Sequence, residues 1–151
     1  MANEQSFKDF LLDKKDKLEE NKIDWEKRKI DWLAAIDTLY FQVKNWLKPF
    51  EDEGLIKIED DKVITLYEDF IGSYDTKRLD IYFGSESIKL VPKGTLIIGS
   101  YGRVDMKAPN GEIMLMRDEA NQWKFVRRFT RSLESWDVTE KSFKAMMQKL
   151  S

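Results

Sequence analysis

A chain of 151 residues that is 42% apolar, 13% aromatic and 36% charged can bury one core without covalent staples, and its aromatic content excludes wholesale disorder. It has no Cys and no His, which removes disulfides, thiolate nucleophiles, Cys-ligated metals and the commonest general base. The formal net charge of −2 lacks the basic footprint of most nucleic-acid binders, and no run approaches the roughly 18 apolar residues that cross a bilayer.

The opening MANEQSFKDFLLDKK lacks the basic and long apolar regions of a secretory signal, so a soluble, cytoplasmic protein with no membrane partner is expected. Residues 1–29 read as a charged helical arm. Thirteen of the seventeen residues from Asp13 to Lys29 are charged, and Asp13–Lys17 and Asp24–Arg28 are spaced to pair along a helix. Leu11, Leu18 and Trp25 form a seven-residue stripe through this arm, interrupted by Lys15, Lys22 and Lys29. One long helix and two shorter ones are both compatible with it. Such a half-built stripe either leans on the domain or is completed by another protein chain, including a second copy of this one.

Residues 30–53 read as the core helix. Trp32, Ile36, Leu39, Val43, Trp46 and Phe50 recur at four- and three-residue steps, widened by Leu33, Tyr40 and Leu47. Pro49 and Gly54 are expected to end it. Beyond Gly54 the apolar period becomes two, which predicts an antiparallel sheet over residues 55–130. A turn at Gly84-Ser85 pairs Leu79 with Leu90, Asp80 with Lys89 and Ile81 with Ile88. A turn at Asn110-Gly111 pairs Met106 with Leu115 and Ala108 with Ile113. A turn at Asp60-Asp61 would pair Ile58 with Val63. Thr95–Gly99 and Trp123–Arg128 read as further strands. Thr139 caps a C-terminal helix over residues 139–150 that bears Phe143, Met146, Met147 and Leu150. The expected fold is therefore a single α+β domain. A long N-terminal amphipathic helix or helix pair packs on a curved antiparallel meander of six to eight strands, with a short C-terminal helix.

Charge is uneven along the chain. Residues 51–76 carry two basic and nine acidic side chains, and residues 77–131 carry eleven basic and six acidic ones. The predicted registers place Tyr82, Lys89, Arg103, Lys107, Met114, Met116, Lys124 and Arg128 on the sheet face turned away from the core. Cations mixed with an aromatic and flexible thioethers suit a protein partner, or alternatively a nucleic acid or other polyanion. Asp105-Met106-Lys107, with Asp80 or Glu86 as a second acid, has a spacing found in magnesium-dependent nucleases, although so common a tripeptide also suits a polar strand. The chain has no phosphate loop, dinucleotide motif or Ser–His pair, so no cofactor is expected. A non-enzymatic interaction protein, such as an adaptor, inhibitor or assembly subunit, fits best. It would use Leu11, Leu18, Trp25 and the eight sheet residues named above.

Overall fold

Trp25 begins the central helix because Asp24 precedes it in extended conformation and its carboxylate accepts the Lys27 backbone N–H at 3.0 Å, a helix N-cap. In the computed structural model, which describes residues 2–20, 24–97 and 100–151 (side chains of 2–3 and 17–20 excepted), the helices are α1 (Ala2–Glu20), α2 (Trp25–Asp52) and α3 (Glu140–Leu150). The N-terminal region thus holds two helices, and α2 starts five residues before the expected core helix. Pro49 sits inside the last turn of α2 instead of ending it. The end is a Schellman closure: Leu55 N–H reaches Phe50 O, Gly54 N–H reaches Glu51 O, and Gly54 takes φ 76°.

The strands are β1 (Lys57–Glu68), β2 (Gly72–Phe83), β3 (Glu86–Gly94), β4 (Arg103–Ala108), β5 (Gly111–Arg117), β6 (Trp123–Arg128) and β7 (Leu133–Asp137). They form one open antiparallel meander in chain order, so the fold is α+β. The Gly84-Ser85 hairpin has the predicted register, with Leu79 opposite Leu90 and Asp80 opposite Lys89. The next expected hairpin is shifted by two. Ala108 faces Gly111 and Met106 faces Ile113, because the chain turns through Pro109-Asn110. Proline's fixed φ suits the second position of a turn and Gly the fourth, which draws the reversal one residue earlier than Asn110-Gly111 suggests.

Three further expectations are corrected. Asp60-Asp61 is no turn: β1 runs through it with a register shift between Glu59 and Lys62, a bulge whose Asp60 carboxylate is held by Lys44 of α2. Residues 95–97 are not a strand but a loop, and Ile98 and Gly99 of that prediction lie outside the described residues. After Arg128 the sheet continues into β7, past the expected limit at residue 130.

The α2 stripe of Trp32, Ile36, Leu39, Val43 and Leu47 lies on the sheet face that presents Leu79, Ile81, Ile88, Leu90, Met106, Leu115 and Phe125; these side chains are buried together. Burying each large side chain contributes about 1.5–3 kcal/mol. Phe143, Met146 and Met147 of α3 close the same core, positioned by the Thr139–Ser142 capping box. Tyr40 ties α2 to the sheet by donating its hydroxyl to Lys77 O at 2.7 Å, and burial pushes that hydroxyl above the usual tyrosine range.

Candidate functional site

With the apolar residues of β2–β6 turned toward α2, strand alternation leaves Tyr82, Lys89, Arg103, Lys107, Met114, Met116, Lys124 and Arg128 on the reverse face. The registers link Asp80, Lys89 and Lys107 across β2, β3 and β4. They also link Arg103, Met116 and Lys124 across β4, β5 and β6. The eight residues predicted for the sheet therefore share one surface. Lys107 and Arg128 are exposed and the other six are half-buried.

Much of the charge on this surface is neutralised within the molecule. Arg78 grips Asp80 through two bonds of 2.7 and 2.9 Å, and Arg103 grips Asp105 through two of 2.7 and 3.0 Å. Both are bidentate contacts between residues two apart on one strand face. Asp80 receives Lys62 as well, at 2.9 Å, and the Tyr82 hydroxyl at 3.2 Å. Although burial alone would push the Asp80 carboxyl upward, hydrogen bonds from Arg78 and Lys62 outweigh it and hold the group below the usual carboxylate range. Lys89, predicted to face Asp80, does so in register, yet the carboxylate is engaged by other donors. Lys89 instead lies opposite Lys107 on its other side, a like-charge cross-strand pair. Lys124 pairs with Asp137 at 3.2 Å. Trp123 and Phe125 are core residues. Among the described residues, no group of three or more acidic side chains is arranged to hold a metal ion.

The helical part of the predicted site is divided between two helices. Leu11 is exposed on α1 together with Phe7, Phe10 and Leu12, and the exposures of these four lie between 47 and 62%. Lys17 and Leu18 have their side chains outside the described residues. Trp25 is half-buried at the start of α2, where its indole stacks on Phe70 with centroids 5.1 Å apart. Arg28, expected to pair with Asp24, turns inward and donates to Thr95 Oγ1 at 3.2 Å and Thr95 O at 2.9 Å, its guanidinium 4.9 Å from the Tyr101 ring.

Thr95 belongs to a buried polar cluster that periodicity could not reveal. Glu68 Oε1 accepts the backbone N–H groups of Thr95 and Leu96, each at 2.8 Å, while Oε2 accepts the Tyr74 hydroxyl. Tyr74 in turn accepts the Trp32 indole N–H at 3.0 Å. Burial, reinforced by Glu68, pushes the Tyr74 hydroxyl above its usual range. Arg117 is buried nearby and donates to Tyr101 O and Asn121. A cleft of about 560 Å³ opens beside Arg28, Asp31, Tyr101 and Arg117, but both guanidinium groups are already committed to protein acceptors. A second, apolar groove of about 560 Å³ lies between the end of α2 and α3, lined by Leu47, Phe50, Leu55, Ile56, Phe83 and Met147. No protein-family model matches the chain, and comparisons with curated proteins and with solved structures find no significant match.

Proposed function

We propose that this protein is a small, non-enzymatic, cytoplasmic interaction module that engages another protein chain through α1 and the reverse face of its sheet. The observation that carries the reading is α1 itself. Every side chain described along it, from Glu4 to Asp16, is exposed, including Phe7, Phe10, Leu11 and Leu12. None of the side chains described on this 19-residue helix packs on the domain, and because most helical stability in proteins comes from packing an apolar face, a surface that covers Phe7, Phe10, Leu11 and Leu12 would stabilise it. The sheet face supports the same reading, since Met114, Met116 and Tyr82 lie among largely self-paired charges. Absence of His, and acids engaged by Arg, weigh against catalysis. No described helix is long and apolar enough to cross a membrane.

The test is a Phe10→Ser/Leu11→Ser variant. Solution mass and pull-down should show a complex, with itself or another protein, that weakens at least about tenfold, the scale of losing one buried apolar anchor. The unfolding midpoint should stay unchanged, because neither side chain packs on the domain. Undiminished association would overturn the role of α1. Retention of oligonucleotides that falls steeply with salt and is lost on charge reversal at Lys89 and Lys107 would replace a protein partner with a polyanion.

A further inference from the structure

The two edges of the sheet are guarded very differently. At one edge β7 is five residues long, carries Glu134 and Asp137, and is followed within three residues by α3. Short length and charge are the devices by which proteins stop an edge from pairing with another chain. At the other edge β1 is twelve residues long and has β2 as its sole strand neighbour among the described residues. Its guards are confined to the first half, where the Asp60-Asp61 bulge and Lys57, Glu59 and Lys62 break up the edge. The second half, Val63-Ile64-Thr65-Leu66-Tyr67, has no charge, Pro, Gly or bulge, and its register with β2 is regular from Lys62 to Glu68. Val63 is 60% and Tyr67 72% exposed, so one flank is open as well as the backbone edge.

We infer that Val63–Tyr67 is a docking edge at which an extended basic peptide segment of another protein adds as an eighth strand. In an antiparallel pair alternate residues turn both N–H and C=O outward, so this run offers about two or three such residues to an incoming strand. The sign of the partner follows from the charge around the edge. Residues 51–76 hold nine acidic and two basic side chains, and Asp61 and Asp69 bracket the run, both exposed and in no ion pair among the described residues. Asp60 is neutralised by Lys44, and on β2 the exposed Asp75 and Lys77 lie opposite Thr65 and Val63, so the exposed charge around the run is three acids against one base. A second copy pairing through the same edge would set one acidic run against another, so complementarity favours a Lys- or Arg-bearing strand. The run shares no residue with α1 or with the eight reverse-face residues, and the inference stands whether or not α1 binds a partner.

The probe is a labelled heptapeptide of alternating Lys and Val, titrated into the full chain by fluorescence anisotropy, with amide hydrogen exchange read on the complex. Saturable binding should weaken about tenfold between about 0.05 and about 0.5 M salt. It should slow exchange within Val63–Tyr67 and be lost when alternate peptide nitrogens are methylated. Asp61→Lys/Asp69→Lys, two exposed changes outside the core, should weaken it at least about fivefold while the unfolding midpoint holds. Absence of binding, protection located elsewhere, or equal binding of the methylated peptide overturns the inference. Concentration-dependent self-association that protects Val63–Tyr67 overturns the assigned partner in favour of a second copy.

Discussion

The Phe70 ring lies nearly parallel to the Trp25 indole, 12° between planes and 5.1 Å between centroids, while its own backbone is held at φ 68°. The turn that places it there closes with Ile71 N–H on Glu68 O, and a left-handed residue at its third position is a role suited to Gly or Asn. A bulky residue there costs about 1–2 kcal/mol. Stacking returns about 0.5–1.5 kcal/mol, and little further burial helps, since Phe70 is 78% exposed. Phe70→Ala should destabilise by about 1 kcal/mol, because it loses the stack and keeps the strain. Phe70→Gly loses both and should unfold at a higher urea concentration than Phe70→Ala. The reverse order in chemical denaturation would mean that the turn does not hold this residue left-handed.

Two glycines separate strain from space. Gly84 has φ 57° and nothing within 4 Å of an added Cβ, whereas at Gly102 that carbon would lie 2.2 Å from Trp32 Cζ3. Trp32 cannot retreat easily, being fully buried and bonded to Tyr74. Gly84→Ala should cost about 1 kcal/mol from conformation alone, and Gly102→Ala about 3 kcal/mol or more, from overpacking added to the strain of its φ of 154°. Equal costs in urea denaturation would show that α2 can shift away from the β4 end of the loop without penalty.

How far the fold could be read from sequence depends on the range of the cause. The period of α2 and the alternation of β2–β6 are local, so the buried set of Leu79, Ile81, Met106 and Leu115 was legible. It survived the wrong hairpin register because a shift of two keeps every side chain on its face. Asp60-Asp61 misled because acidic pairs favour turns. The contact that holds Asp60 within β1 comes from Lys44 on α2, sixteen positions earlier in the chain, and no local pattern signals it. Thr95–Ile97 has strand-like composition but is drawn into a loop by Glu68, Arg28 and Tyr101, contacts that periodicity does not encode. The reverse face was legible as a set of residues. Its self-neutralisation was not, because alternation says which face a charge is on and not which neighbour it grips.

Asp80 makes the pH response specific. Its carboxyl is held below its ordinary value in the folded protein, burial being outweighed by the bonds from Arg78 and Lys62. The folded state therefore gains stability above the ordinary Asp range, near pH ~3.9, and loses it as pH falls through the lower folded value. Asp80→Asn should destabilise by about 2 kcal/mol at neutral pH, the scale of bonds to a buried charge. The gap to the parent protein should narrow as pH falls below the ordinary Asp value, because the parent's carboxylate takes up a proton and becomes neutral like the amide. Denaturation midpoints measured across that range decide it, and a gap that widened in acid would contradict the assignment.

Glu68 and Gly94 should be energetically coupled through a single oxygen. Glu68 Oε1 takes the N–H groups of Thr95 and Leu96, and a Cβ on Gly94 would come within 2.5 Å of that same atom. Glu68→Ala leaves two backbone donors and the Tyr74 hydroxyl without their acceptor, a loss of about 3 kcal/mol or more. Gly94→Ala in the parent forces the carboxylate off those donors and should cost about 2–3 kcal/mol. In the Glu68→Ala background nothing remains for the new methyl to strike there, so the second change should cost only the backbone strain of φ 150°, about 1 kcal/mol. The double-mutant cycle should then give a coupling of about 1–2 kcal/mol in urea denaturation. Strict additivity would show that the loop after β3 is not anchored by this carboxylate, and the attachment of α2 through Trp32, Tyr74 and Glu68 would need another explanation.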